Sequence, residues 1–326
     1  MTVSSFQKST IVRTKNAASR VFFRSAEVVA PRLGGRVARD LWFTVPADIG
    51  ATPLPEGGES FEVTSRGTTV RGHVWGAGPV VYLVHGWGGR GSQLSAFVEP
   101  LVAAGHQVVL FDGPSHGDSD PGRHGPDRTH GVELGQALDD VFARFGPAHA
   151  VIAHSLGTIA TYLTMRFGWL STERLVLVAP MVEAESLFDF FQSALGFGPR
   201  TRRAFDQHVL EFVSLPVSEF DARVQAAHPD VHDVPTLIVH DRKDPQTPYG
   251  DAVSLLDALP DARLITTTGL GHRRILSDPA VVSHVVDFIA PDAEVRQLSS
   301  ASAGHVVDEA PAPRLAGLVG LHDTVA

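Results

Sequence analysis

Polar side chains follow five apolar segments of the sequence, at the points where the segments end. The five stretches are His85-Gly86-Trp87-Gly88-Gly89, Asp112-Gly113-Pro114-Ser115-His116-Gly117, His154-Ser155-Leu156-Gly157, His240-Asp241-Arg242-Lys243-Asp244-Pro245 and Gly269-Leu270-Gly271-His272. Serine, histidine and aspartate are residue types that act as nucleophile, general base and orienting acid. Because ligands bind beyond the carboxyl ends of the strands in an open parallel sheet, these stretches could form one site.

The third stretch, VIAHSLG over residues 151–157, has two interpretations. It can be a strand followed by an ordinary turn, since serine and glycine are common turn residues. It can also be a strand-turn-helix elbow that presents Ser155 as a nucleophile. The stretch alone does not decide between them, because a nucleophile also needs a base, an acid and donors for an oxyanion.

The elements around these stretches predict a mostly parallel sheet covered by helices, because short apolar runs alternate with longer segments of helical period. Strands are predicted at 61–65, 68–75, 80–85, 106–112, 149–154, 174–180, 236–241 and 262–268. The first two alternate in character and could form an antiparallel edge, whereas the later continuous apolar runs suit strands buried on both faces. Helices are predicted at 92–105, 132–146, 155–168, 249–260 and 279–290.

Residues 181 to about 232 interrupt this alternation and are rich in phenylalanine. We expect a helical insertion here that forms a lid over the sheet. Phenylalanines at helical spacing pack in a core or line an apolar pocket, and both interpretations stay open. The set is Phe188, Phe190, Phe191, Phe197, Phe205, Phe212 and Phe220.

Composition excludes several function classes. The chain has no cysteine, which excludes disulfides, a thiolate nucleophile and cysteine-ligated metal centres. The formal net charge is −9, but residues 1–40 carry +6, so the remainder carries −15 and should repel nucleic acid. No segment has the apolar run of a secretory signal or a membrane span, so we expect a cytoplasmic protein.

The two ends of the chain differ from its centre. Residues 1–45 form a basic segment for which we predict a helical extension packed against the body of the protein. The alternative is an amphipathic helix on an anionic membrane, with Val21, Phe22, Phe23, Val28 and Val29 on its apolar face. Residues 293–326 are predicted to be a poorly ordered or loosely packed tail.

Over roughly residues 60–290 the sequence resembles the α/β-hydrolase fold family, in which nucleophile, acid and base follow one another along the chain. The resemblance implies an eight-stranded, mostly parallel sheet in a core domain over 46–292, with the helical lid at about 181–232. It also implies a triad of Ser155, Asp244 and His272. Ala153 replaces the first glycine of the family's G-x-S-x-G motif, and Asp112 corresponds to a turn that is usually structural.

The implied roles follow from the chemistry of each group. His272 would take the proton of Ser155, and Asp244 would fix the imidazole tautomer. The backbone N–H groups of Trp87 and Leu156 would form the oxyanion hole. Other acids stay open, because Asp241 lies in the same loop and Glu183 and Glu185 follow the strand at 174–180.

The resemblance implies a serine hydrolase that cleaves carboxylic esters, or thioesters, of apolar acyl groups. Trp87, Phe188 and Phe191 are the expected substrate contacts. The mechanism requires no cofactor and no metal, and the only expected partner is a small-molecule substrate. The alternatives are a carbon-carbon bond hydrolase, a cofactor-free haloperoxidase or an acyltransferase with the same triad, a non-catalytic ligand receptor, and a membrane-surface lipase. Neither the sequence nor the resemblance predicts an oligomeric state.

Overall fold

Eight strands form a single sheet in a computed structural model that describes residues 18–46 and 50–290. The strands are β1 (Glu59–Ser65), β2 (Thr68–Trp75), β3 (Val80–Val84), β4 (Gln107–Phe111), β5 (Ala148–His154), β6 (Thr172–Val178), β7 (Thr236–Asp241) and β8 (Ala262–Thr267). Their order across the sheet is β1-β2-β4-β3-β5-β6-β7-β8. All eight predicted strands are therefore present.

Six neighbouring strands run parallel, in the order β4, β3, β5, β6, β7 and β8. β1 and β2 form an antiparallel edge beside β4. Residues of β3 point alternately to the two faces, as expected for a strand of period two. Val80, Tyr82 and Val84 join one apolar core, and Val81 and Leu83 join the other. The burial of β3 on both faces explains its continuous apolar run. The order and direction of the strands confirm the predicted α/β fold.

Helices cover both faces of the sheet. The described residues begin in helix α1 over 18–29. The others are α2 (Pro31–Trp42), α3 (Val98–Ala103), α4 (Gly131–Phe145), α5 (Leu156–Arg166), α6 (Ala184–Leu195), α7 (Pro199–Val213), α8 (Ala222–Ala226), α9 (Pro229–His232), α10 (Tyr249–Ala258), α11 (Gly271–Arg274) and α12 (Pro279–Ile289). We call α6–α9, which lie between β6 and β7, the inserted helices.

The helix predicted over 92–105 is wrong in detail. The segment is a 3₁₀ helix over Gly91–Phe97 that continues into the short α3. Pro100 gives the physical reason, because it has no N–H for the carbonyl of Ala96 and its ring clashes with that carbonyl in a continuous α-helix. Proline is tolerated only in the first turn, where α3 places it.

The described residues up to Ile289 belong to one compact unit, and a second unit begins at Ala290. Apart from Ala290, that second unit lies outside the described residues. The predicted tail over 293–326 therefore also lies outside them. Within the described ranges, no helix is both long and apolar enough to cross a membrane.

Candidate active site

Ser155 lies at a sharp turn between β5 and α5, as the elbow interpretation predicts. Its φ of 53° and ψ of −119° are unusual for a residue with a side chain and strain the backbone. The turn is held on both sides, because the Ser155 N–H donates to Val178 O at 3.1 Å and Met181 N donates to Ser155 O at 3.1 Å. The strained turn is therefore held by β6 and by Met181, which follows β6 in the chain.

Two glycines allow this turn to pack closely against the end of β3. A Cβ on Gly86 would lie 2.8 Å from Ser155 Cβ, and a Cβ on Gly157 would lie 2.8 Å from the carbonyl oxygen of Val84. Both distances are shorter than real Cβ contacts, so only glycine fits. Ala153, the departure from the family motif, is fully buried within β5.

The structure places Asp244 in contact with His272. Asp244 Oδ2 lies 2.7 Å from His272 Nδ1, and both side chains are buried. Asp244 Oδ1 accepts hydrogen bonds from the backbone N–H of Gln246 at 2.7 Å and of Thr247 at 3.1 Å. Burial opposes the charge of Asp244, but the hydrogen bond from His272 and the two backbone bonds together outweigh burial and hold its pKa below the usual value. A charged Asp244 can only accept, so His272 carries its proton on Nδ1 and its Nε2 can act as a base.

Asp241, the other candidate acid of this loop, has a different position. Its carboxylate accepts from Thr267 Oγ1 at 2.8 Å and from the backbone N–H groups of Lys243, Gly269 and Leu270 at 2.8, 3.2 and 2.8 Å. Burial opposes its charge, but the bond from Thr267 and the backbone bonds together lower its pKa to about 2. Asp241 therefore fixes the loop of Asp244 to the loop that precedes His272.

His154 connects the elbow with His272. Its Nε2 donates to the carbonyl oxygen of His272 at 2.9 Å, and the two ring centroids are 4.6 Å apart. Burial lowers the pKa of His154 to about 3, so the ring is neutral near pH 7. His154 directly precedes Ser155 in the chain, so its bond to His272 holds His272 close to the elbow.

The hydroxyl of Ser155 has no hydrogen-bond partner among the described residues.

The backbone N–H groups of Trp87 and Leu156 are available to a ligand. Leu156 is the first residue of α5, where an N–H has no partner within the helix. Within residues 18–46 and 50–290, neither group donates to another residue. The loop that carries Trp87 is held by His116, whose Nε2 accepts from Gly88 N at 3.1 Å. Asp112 supports the same loop, since its Oδ1 accepts from Gly91 N at 2.6 Å.

Ser155 opens into a cavity of about 390 Å³. The three predicted substrate contacts, Trp87, Phe188 and Phe191, line it. Most of the other lining side chains are apolar and come from the inserted helices and from the end of α2. Among the residues that the structure describes, the lining is Leu41, Trp42, Phe43, Thr44, Pro46, Trp87, His130, Gly131, Ser155, Leu156, Met181, Ala184, Leu187, Phe188, Phe191, Val209, Val213, Val217, Phe220, Gln246 and Thr247.

The side chains of His124, His130 and Glu133 form a cluster beside this cavity. Their ring nitrogens and carboxylate oxygen, which are the kinds of atom that bind metals, lie within 4.8 Å of one another. The two Nε2 atoms are 3.2 Å apart, and Arg123 donates to His124 Nε2 at 3.1 Å. His130 Nδ1 accepts from Glu133 N at the start of α4. Burial lowers the pKa of both histidines, that of His124 to about 4. These hydrogen bonds hold the preceding loop against α4.

Comparison with known proteins identifies the family. A family model described as the alpha/beta hydrolase family matches residues 81–285. The chain therefore belongs to the alpha/beta hydrolase family. A search of curated protein sequences finds no match.

Solved structures share the fold at low sequence identity. A bromoperoxidase from Bacillus anthracis is similar with a TM-score of 0.55 and 14% identity, over 72% of this chain and 100% of that chain. The thioesterase domain from the curacin biosynthetic pathway has a TM-score of 0.53 and 15% identity, over 72% and 100%. An esterase from Exiguobacterium antarcticum has a TM-score of 0.50 and 16% identity, over 71% and 99%. At such identities the similarity shows the fold alone.

Proposed function

We propose that the protein is a serine hydrolase that cleaves carboxylic esters, or thioesters, of apolar acyl groups through an acyl-enzyme. The observation that supports this most directly is the position of Ser155, which is strained at the elbow and forms part of the wall of an apolar cavity. Backbone strain at such a position is a feature of functional sites. A pocket with few polar groups suits an acyl chain better than a charged substrate.

In the first half of the reaction, Ser155 Oγ attacks the carbonyl carbon while its proton passes to His272 Nε2. The carbonyl oxygen becomes negative and accepts hydrogen bonds from the N–H groups of Trp87 and Leu156. His272 then returns the proton to the leaving oxygen or sulfur, and the bond to the acyl carbon breaks. Asp244 stabilises the imidazolium and holds its tautomer throughout.

In the second half, water attacks the acyl carbon and gives one proton to His272 Nε2. The tetrahedral intermediate collapses, the carboxylic acid leaves, and Ser155 Oγ regains its proton from His272. A hydrolase of this kind needs no cofactor and no metal, and its partner is the small-molecule substrate. Carbon-carbon bond hydrolases, haloperoxidases and acyltransferases would use the same residues, so the substrate must be identified by experiment.

The test is hydrolysis of nitrophenyl esters and the matching thioesters by the full chain, by Ser155→Ala and by Ser193→Ala. Ser193 is an exposed residue of α6 and serves as the matched serine control. We expect Ser155→Ala to lose at least about 10⁴-fold in kcat, because the nucleophile is removed. Ser193→Ala should keep the parent rate. Equal activity of the parent and Ser155→Ala would refute the proposal.

A further inference from the structure

The helices that precede the sheet are attached to the inserted helices. Phe23 of α1 is buried, and its ring centroid lies 5.4 Å from that of Phe197. The carboxylate of Glu27 accepts from the backbone N–H groups of Arg200 and Thr201, both at 2.9 Å. Glu27 therefore caps the first turn of α7, which holds α1 and α7 together.

Helix α2 packs even more closely on α7. A Cβ on Gly35 would lie 2.6 Å from the backbone of Ala204 and Phe205, so the two helices touch with no side chain between them. Gly34 is close to Thr201 in the same way, with a Cβ 3.0 Å from its methyl group. Helices α1 and α2 are thus part of the same layer as α6 and α7.

The segment Leu41–Pro46, at the end of α2, continues from this layer to the loop of Trp87. Val45 N donates to Asp127 O at 2.7 Å, and a Cβ on Gly88 would lie 2.9 Å from the ring of Pro46. Five of its residues line the cavity into which Ser155 opens. The segment precedes residues 81–285, the part that matches the family model.

Trp42 occupies the centre of this contact. Its ring packs edge-on against Phe188 with centroids 4.7 Å apart and against Phe191 at 5.2 Å. All three rings line the same cavity. Removal of the Trp42 indole would therefore enlarge this cavity instead of opening a separate one.

We infer that the N-terminal segment Leu41–Pro46 is a wall of the acyl pocket and that Trp42 limits the length of the acyl chain. This inference rests on the proposed function. At roughly 30 Å³ for each water-sized or methylene-sized group, the cavity of about 390 Å³ holds on the order of a dozen groups. The carbonyl and the leaving group occupy part of that space, so medium-length chains of about six to ten carbons fit the parent pocket.

The test is the chain-length profile of kcat/KM for nitrophenyl esters from acetate to dodecanoate. In Trp42→Ala the ratio of dodecanoate to octanoate should rise by about tenfold or more, since the misfit of even one methylene in an apolar pocket changes selectivity by that factor. Phe190→Ala is the matched control, because Phe190 is on α6 but 74% exposed and outside the cavity lining. Its profile should equal that of the parent.

Leu41→Trp provides the opposite change and keeps the test valid if Trp42→Ala does not fold. Leu41 lines the cavity but is 49% exposed, so a larger side chain is accommodated and should move the preference toward shorter chains. Thermal melting verifies that each variant is folded. A profile that is the same in the parent and in every folded variant overturns the inference.

Binding of fatty acids separates this inference from the proposed function. Calorimetry with octanoate and dodecanoate needs no turnover, so it reports on the pocket even if the parent hydrolyses no ester. If the proposed function fails but the inference holds, Trp42→Ala will still improve dodecanoate binding relative to octanoate by about tenfold, and Phe190→Ala will not. If neither variant alters that ratio, the segment does not form the acyl wall.

Discussion

Replacing Asp244 with asparagine changes one atom of the carboxylate that faces His272. In the parent, Oδ1 accepts from the N–H groups of Gln246 and Thr247, while Oδ2 accepts from His272 Nδ1. In the variant, the oxygen of the new side-chain amide must occupy the Oδ1 position, because two backbone donors point there. The amide NH₂ then faces His272 Nδ1, which becomes an acceptor and moves the imidazole proton to Nε2.

An imidazole with its proton on Nε2 cannot accept the proton of Ser155. A serine triad held in the wrong tautomer loses about 10⁴ in kcat, which corresponds to about 5.5 kcal/mol at 1.36 kcal/mol for each factor of ten. The fold should stay intact, since the two backbone bonds survive. The assay is kcat on a nitrophenyl ester together with a thermal melt. If folded Asp244→Asn keeps kcat within tenfold of the parent, this account of the acid is refuted.

Asp241→Asn is the matched control, because it makes the same chemical change in the same loop. Asp241 accepts from four donors, so an amide NH₂ must face one pair of them and leaves buried groups unpaired. We expect this variant to lose about 1–3 kcal/mol of stability, with a much smaller loss of kcat in the folded fraction. A loss of about 10⁴ in kcat for Asp241→Asn alone would show that Asp241 is the acid.

Three further predictions concern the support of the site. Burial lowers the pKa of His85 to about 4 and of His154 to about 3, so the unfolded chain binds their protons first as the pH falls below about 6.5. Above that pH the neutral rings do not lower the free energy of unfolding, and below it each ring lowers that free energy by about 1.4 kcal/mol per pH unit. Melting temperatures should therefore fall from pH 7 to pH 5, and a constant melting temperature would contradict this. Gly86→Ala places a methyl group 2.8 Å from Ser155 Cβ and should reduce kcat by about 10²-fold through displacement of the serine, whereas kcat at the parent value would show that the contact relaxes. Glu27→Ala removes the cap of α7 and should cost about 1 kcal/mol or less in urea unfolding, and no change would show that the cap does not stabilise the fold.

The strands could be predicted from the sequence because β3, β5 and β7 are buried on both faces and therefore consist of continuous apolar runs. The elbow could be predicted because Ser155 follows such a run and precedes a helix. The sequence left Asp241 open beside Asp244, since Asp241 is the last residue of β7 and Asp244 lies only three residues further along the chain. Their different hydrogen-bond partners are set by how the loops after β7 and β8 meet, which is tertiary information.

The contribution of Leu41–Pro46 to the cavity could not be read from the sequence. The N-terminal residues showed an apolar set within a basic segment, which fits packing on the protein as well as packing on a membrane. What decides the position of α2 is its close contact with α7, where Gly35 meets the backbone of Ala204 and Phe205. That contact joins residues about 170 positions apart in the chain, and no local pattern encodes it. The lid role of the inserted helices stays a prediction.

The most direct test of the central claim is labelling with a fluorophosphonate, read by intact mass on the purified full chain and on Ser155→Ala. An activated serine forms a covalent phosphonyl adduct, so the account predicts one adduct on the parent and none on the variant. A folded parent that forms no adduct, or an adduct that persists on Ser155→Ala, would contradict the assignment of Ser155 as the nucleophile.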